Sequence, residues 1–187
     1  MTNKIYFLVG PSGVGKTIVR NYITSKFDNI KFIPSYTTRA PRINEINEVD
    51  YFFISKKEFQ NLIQINALIE WEEHFGNLYG ITKGYCENQL KNGYSLIKEI
   101  AVDGYKQILK NTTIEKGIIK SIFIYPDNIN QLLKRLELRG ESNIEKRIIS
   151  IENELESSKE CDHIIRSKNN QLPELFNEVE NIINSYL

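Results

Sequence analysis

The residues Gly10-Pro11-Ser12-Gly13-Val14-Gly15-Lys16-Thr17 fit the spacing GxxxxGK[ST]. Glycines at these intervals let the chain curl until successive amides point inward at phosphate oxygens, and a helix starting there adds its own free N–H groups. Lys16 has the reach for β- and γ-phosphates, and the Thr17 hydroxyl can complete a magnesium shell otherwise made of water and phosphate. The competing reading is a glycine-rich turn with a chance match, and the flanking pattern decides against it. Lys4 to Val9 is apolar on successive residues, as in a strand buried on both faces, and Ile18, Val19, Tyr22, Ile23 and Phe27 recur at helical spacing. Strand, glycine loop and helix in that order predict binding of a nucleoside triphosphate. This fixes a phosphoryl donor and leaves the acceptor open; an NKxD guanine-reading motif of the GTPase kind is absent.

Such a loop needs a rigid sheet behind it. Further strands are predicted at Ile30–Ile33, Tyr51–Ile54, Leu68–Trp71, Tyr94–Ile100, Ile118–Tyr125 and His163–Ile165. Helices are predicted after the capping box Ser55/Glu58, over 82–91, as a short piece over 104–110, around Ile129, Leu132, Leu133 and Leu136, around Ile144, Ile148, Ile151 and Leu155, and over Leu172–Ile183 with Pro173 in the first turn. Strands alternating with helices predict an α/β fold, a mostly parallel central sheet flanked by helices. The hydrophilic stretch Ser35–Asp50 reads as a functional loop or an irregular sheet edge and Glu72–Thr82 as another loop, and the segment 35–82 as a whole looks inserted into the alternation.

The 187 residues suit one compact unit with small insertions, and 41% hydrophobic with 26% charged residues places the chain among ordinary folded proteins. Twenty-four cations balance 24 anions, so no global charge draws the chain to nucleic acid or an anionic membrane. Apolar runs fall short of the roughly 20 residues that span a bilayer, and the N-terminus reaches Pro11 before a signal-peptide pattern develops. Cys86 and Cys161 form neither a CxxC nor a disulfide framework, so a reducing, cytoplasmic setting is expected. Only seven of the cations are Arg, which favours their use where a rigid fork of donors is needed.

Several separated signatures give the acceptor. Ser35-Tyr36-Thr37-Thr38-Arg39-Ala40-Pro41-Arg42, then Glu45 and Asp50-Tyr51-Phe52-Phe53, resemble an S-x-T-T-R-x-P-R…D-Y-x-F stretch. Ile69-Glu70-Trp71, His74 and Asn77-Leu78-Tyr79-Gly80 resemble L-E-W…H-G-x-x-Y-G, and Arg135-Leu136, Arg139-Gly140 and Arg147 resemble R-L-x-x-R-G…R. With the glycine loop, this order resembles the guanylate kinases of the nucleoside monophosphate kinase group along nearly the whole chain. The resemblance implies a P-loop core (1–34, 83–126 and 154–187), a monophosphate-binding subdomain (35–82) and a helical lid (127–153). It implies that Arg39, Arg42, Tyr51 and Tyr79 hold the acceptor phosphate, that Ser35 and Glu70 read guanine, and that Arg135, Arg139 and Arg147 clasp the transferring group. The expected reaction is transfer of the γ-phosphoryl group of ATP to GMP or dGMP with Mg2+, by a monomer or homodimer.

The chemistry agrees. Phosphoryl transfer asks for two polyanions placed in line with their charge neutralised, and little proton transfer. Guanine presents N1–H and an amino group side by side, and one carboxylate such as Glu70 accepts from both; adenine would turn a lone pair toward it. Three departures from the family pattern stand out. Ile81 replaces a hydroxyl residue, with Thr82 one position along. Lys98-Glu99-Ile100-Ala101-Val102-Asp103-Gly104 stands against L-D-I-D-x-Q-G, so Glu99 keeps the first acid, suited to a water-mediated magnesium contact, and the second is lost. If the strand continued, Glu99, Ala101 and Asp103 would share a face and Asp103 would join the acceptor site. Finally, Asn44 and Asn47 replace glycines and are expected at positive φ. These departures leave open a kinase acting on another phosphorylated acceptor, such as a ribose bisphosphate, or a non-catalytic guanylate-kinase-like interaction domain.

Overall fold

The computed structural model describes residues 3–111, 114–115, 117–138, 144–168 and 171–187. Its centre is a five-stranded sheet, all parallel, in the order β2 (Ile30–Phe32), β7 (Ser95–Ile100), β1 (Ile5–Val9), β8 (Ile119–Pro126) and β9 (His163–Ser167). Strand β1 lies in the middle with helices on both faces, which is why every one of its residues is buried and its sequence does not alternate. Helix α1 (Lys16–Lys26) runs back along β2 and β7 and is flanked by α7 (Leu172–Asn184), where Tyr22 stacks on Phe176 at 4.0 Å and hydrogen-bonds Glu180. At the other side Asp162 Oδ2 accepts from the backbone N–H and hydroxyl of Ser121, at 2.7 and 2.8 Å, and ties the start of β9 to β8.

A second sheet, ordered β4 (Tyr51–Phe53), β3 (Ser35–Thr37), β6 (Asn77–Thr82) and β5 (Leu68–His74), is built from the inserted segment. Pair β3/β4 is parallel and the other two pairs are antiparallel. Helix α2 (Lys56–Gln64) opens on the expected capping box, Ser55 and Glu58 each bonding the other's backbone. Residues 72–82 are not a loop but most of the β5/β6 hairpin, closed at Phe75 and Gly76, both at positive φ. Its outer strand carries Glu72, Glu73 and His74, exposed, and so lacks the apolar alternation that marks a half-buried strand.

Helix α3 (Lys83–Lys91) is capped by the Thr82 hydroxyl, which accepts from the Tyr85 N–H. Strand β7 ends at Ile100, and after Ala101 the helix α4 (Val102–Asn111) begins, two residues earlier than expected. Asp103 is therefore an exposed residue in the first turn of α4, where a carboxylate suits the helix N-terminus, and not a continuation of the strand face. Asn44 has the expected positive φ of 69°, but Asn47 does not; Glu48 takes that role at 68°, and the Asn47 side chain accepts from the Phe53 N–H instead. Helices α5 (Ile129–Glu137) and α6 (Ile144–Glu156) complete the chain. The Gly140 turn and Arg139 lie outside the described residues, as does the Arg147 side chain, although Arg147 falls within α6.

Candidate active site

Two cavities open at the C-terminal ends of the parallel strands, the place where open α/β sheets bind ligands. The first, of about 390 Å³, is walled by Ser12, Gly13, Val14, Gly15, Lys16 and Thr17, with Arg135, Ser167 and Lys168 opposite. Gly10 enters the turn at φ 140°, and a Cβ there would lie 2.6 Å from the Ile124 carbonyl oxygen, so only glycine brings the loop this close to β8. Gly15 precedes α1 in a left-handed conformation without a side-chain cap, which leaves the helix amides to a ligand. Lys16 Nζ donates to the carbonyls of Gly10 and Pro11 at 2.5 and 2.9 Å, curled over the loop it serves. Leu132 and Leu136 of α5 pack 3.3 Å from where a Gly13 Cβ would stand, and this contact seats Arg135 on the cavity wall.

The second cavity, of about 420 Å³, lies between the two sheets. Of the residues expected to hold an acceptor, Ser35, Tyr51, Glu70 and Tyr79 line it, together with Thr17 and Glu99. Arg39 does not line it directly. Its guanidinium makes a two-pronged pair with Glu45 at 2.8 and 2.9 Å, lies beside the Tyr79 hydroxyl and stands 5.3 Å from the Tyr51 ring centre, so it supports both tyrosines from behind. Glu45 is held below its usual carboxylate range chiefly by that pair, with help from the Arg42 backbone N–H. The Arg42 side chain is exposed outside the cavity, and Asp103 is likewise not on its wall.

Glu70 is 8% exposed, and burial pushes its carboxyl up to about 7; nearby Lys98 opposes that rise and Glu72 adds to it. Lys98, also 8% exposed and on the cavity wall, is not among the expected site residues, although a charge inside the buried run Ser95–Ile100 is a legible signal. Burial brings its ammonium down to about 8, against the pull of Glu99 and Glu70, and Nζ donates to the Ile33 carbonyl at 2.9 Å. Arg20 and Phe32 complete that wall, the guanidinium 4.1 Å over the ring. Ile81, fully buried opposite Glu70 in the hairpin, offers no hydroxyl, and the Thr82 hydroxyl, which accepts from the Tyr85 N–H at the start of α3, is not on the cavity wall.

The cavities meet at Thr17, which lines both. Beside it Glu99 Oε1 is 3.5 Å from the Thr17 hydroxyl, while Glu99 Oε2 faces Arg20 Nε at 3.3 Å; both these atoms are buried without a hydrogen bond of good geometry. A hydroxyl and a carboxylate at the mouth of a phosphate loop, with an unsatisfied oxygen, form a hard donor set that fits Mg2+. Among the described residues no group of three or more His, Cys, Asp or Glu side chains is arranged to hold a metal by itself.

A phosphate loop and a second polar cavity sharing one wall, on a parallel sheet with an inserted sheet beside it, define a P-loop kinase of small phosphorylated molecules. The family model for guanylate kinase matches residues 2–186. A guanylate kinase of Bacillus subtilis is 37% identical over 166 residues, 87% of this chain and 79% of its own, and one of Prochlorococcus marinus is 36% identical over 98% of both. One from Mesoplasma florum is 42% identical over 76% of this chain, which spans about half (47%) of that longer relative. The crystal structure of guanylate kinase from Anaplasma phagocytophilum superposes with a TM-score of 0.73 at 26% identity, covering 99% of this chain and 86% of that one. The chain belongs to the guanylate kinase family. The activity that goes with membership is ATP-dependent phosphorylation of GMP, and neither the ribose bisphosphate kinase nor the non-catalytic interaction domain is favoured.

Proposed function

We propose that the two cavities hold ATP and GMP with their phosphates end to end across Thr17, and that this shared wall is the basis of catalysis. The loop amides of 10–17 and Lys16 cradle the donor, and Arg135, with Arg139 and Arg147 from the segment 127–153 acting as a lid, neutralises charge on the equatorial oxygens of the transferring group. Tyr51 and Tyr79, backed by Arg39, hold the acceptor phosphate, with Arg42 turning in from outside the cavity when the nucleotide binds, while Ser35 and Glu70 face the base. GMP and dGMP present N1–H and an amino group to the Glu70 carboxylate; AMP presents a lone pair and is rejected. Thr17, and Glu99 through water, would hold Mg2+, which when bound supplies charge neutralisation between the two phosphate chains. No general base is needed, since the attacking oxygen of GMP is already ionised. The core and the 35–82 subdomain correspond to the two sheets, and the setting fits a cytoplasmic monomer or homodimer without nucleic-acid or membrane partners; no helix among the described residues is long and apolar enough to cross a membrane.

The test is ADP release measured across GMP, dGMP, AMP, CMP, UMP and a ribose bisphosphate. The expected result is turnover with GMP and dGMP at least about 100-fold above AMP in kcat/KM. A ribose bisphosphate turned over faster than GMP would falsify the guanine reading.

A further inference from the structure

We propose that Lys98 is a guanine-reading residue, its ammonium donating to the exocyclic carbonyl oxygen of the base while Glu70 accepts from the neighbouring N–H and amino group. The inference rests on the GMP reading above and adds a specificity-determining residue to it. Lys98 stands in β7 opposite Phe7 of the central strand β1, where the family pattern has leucine and where an apolar side chain would pack without any desolvation cost. The structure gives its ammonium one hydrogen bond, to the Ile33 carbonyl, and the face of the Phe32 ring at 4.6 Å. An ammonium has three donors, so the Ile33 contact anchors the group and leaves donors for the cavity it lines.

Glu70 lines the same cavity, and each group feels the other's charge, yet no hydrogen bond or ion pair closes between them. An opening between a buried acceptor and a buried donor suits a ligand edge that carries donors beside an acceptor. Guanine has that edge in the order oxygen, N–H, amino. A carboxylate serves two of the three positions, and the oxygen needs a donor that Ile81 cannot supply; Thr82, whose hydroxyl accepts from the Tyr85 N–H, is not on the cavity wall. Thr17, Ser35, Tyr51 and Tyr79 also bring hydroxyls to the wall, of which Ser35 is the one assigned to the base above, and a cation binds a carbonyl oxygen more strongly than a hydroxyl does. Adenine would set an amino group against Lys98 and a lone pair against Glu70, a mismatch at both ends. Of the other charged groups near Lys98, Glu99 on its own strand also pulls on the ammonium but is turned toward Arg20 of α1, and Glu70 is the partner expected to share the base with it.

The experiment compares kcat/KM for GMP and 6-thio-GMP, whose sulfur is a weak acceptor at the oxygen's place, in the parent and in Lys98→Met. The parent should prefer GMP by about tenfold or more, and the ratio should fall toward about two in Lys98→Met, with the KM for ATP unmoved. The GMP-to-IMP ratio, which reports the amino group at the Glu70 end, should stay level in the same variant. Lys98→Gln, which keeps an N–H donor, should retain more of the thio discrimination than Lys98→Met. If both substrates fall together in Lys98→Met and the ratio is kept, Lys98 is only a packing residue and the proposal is overturned. A parent ratio near one overturns it without any variant. A parent that does not prefer GMP in the acceptor panel overturns the GMP reading itself, a result visible before Lys98 is touched.

Discussion

The donor cavity and the acceptor cavity are of similar volume and share Thr17, but they are made of different material. The phosphate cradle of the donor side is chiefly backbone, with glycines at positive φ, an uncapped helix end and Lys16 within eight consecutive residues, while Arg135 and Lys168 stand on the opposite wall. The acceptor side is chiefly side chains drawn from β3, β4, β5, β6, β7 and α1, with a buried carboxylate and a buried ammonium among them. Backbone amides carry partial charge that burial does not titrate, whereas side-chain charges in the acceptor cavity are held at a cost in desolvation. The phosphate loop therefore serves any nucleotide, and selectivity is concentrated where charged side chains are buried.

Lys16→Ala breaks the donor side most sharply. It should lower kcat by at least about 100-fold while the melting temperature without nucleotide stays within about 3 °C of the parent, because the ammonium bonds the Gly10 and Pro11 carbonyls of the loop and Lys16 is not one of the buried core residues. Near-parental turnover at saturating ATP and magnesium would remove the loop from the mechanism.

Glu70→Gln tests the opposite side. It should cost about 2 kcal/mol in kcat/KM for GMP, roughly 30-fold, by replacing a charge-assisted acceptor with a neutral amide. In the parent, kcat/KM for GMP should rise with pH through about 7 as the carboxyl ionises, and this limb should vanish in the variant. Stability moves the other way. A carboxyl whose folded pKa is raised from 4.5 to about 7 stabilises fully below 4.5, and that contribution is lost as pH rises through about 7. Glu70→Gln should thus melt higher than the parent at pH 8, with the gap closing below pH 4.5; a gap that does not change with pH would disprove the burial argument.

A weaker effect is expected behind the tyrosines. Glu45→Gln loosens the pair that fixes Arg39, and should raise the KM for GMP by about 3- to 10-fold with kcat within about twofold and the KM for ATP unchanged. A selective loss in kcat would place Arg39 on the transferring phosphoryl group instead. Smallest in kinetics is Ile81→Ser. Because Ile81 is fully buried opposite Glu70, the substitution should destabilise the fold by about 2–4 kcal/mol yet change the GMP-to-IMP ratio less than about threefold. A larger improvement would mean that the serine hydroxyl reaches the base.

Short-range patterns made much of this molecule legible. The glycine loop, the Ser55/Glu58 box, the buried run of β1 and the Asn44 turn each depend on residues a few positions apart, and each stands where its spacing implies. Signatures at residues 35–53, 69–80 and 135–147 were enough to point to a GMP kinase, since motif order survives in a linear string. The errors lie where neighbours in space decide. An outer strand with charges on it reads as a loop until β6 supplies its ladder, and Asp103 looks like strand until the turn at Ala101 starts a helix. That Lys98 and Glu70 share one cavity follows from packing two sheets together. Sequence determined the donor loop because a phosphate cradle of backbone amides is set by local dihedral angles. Tertiary structure alone decided which buried charges meet the base, because the strength and partner of a charge depend on what excludes water from it, and those groups come from strands far apart in the chain.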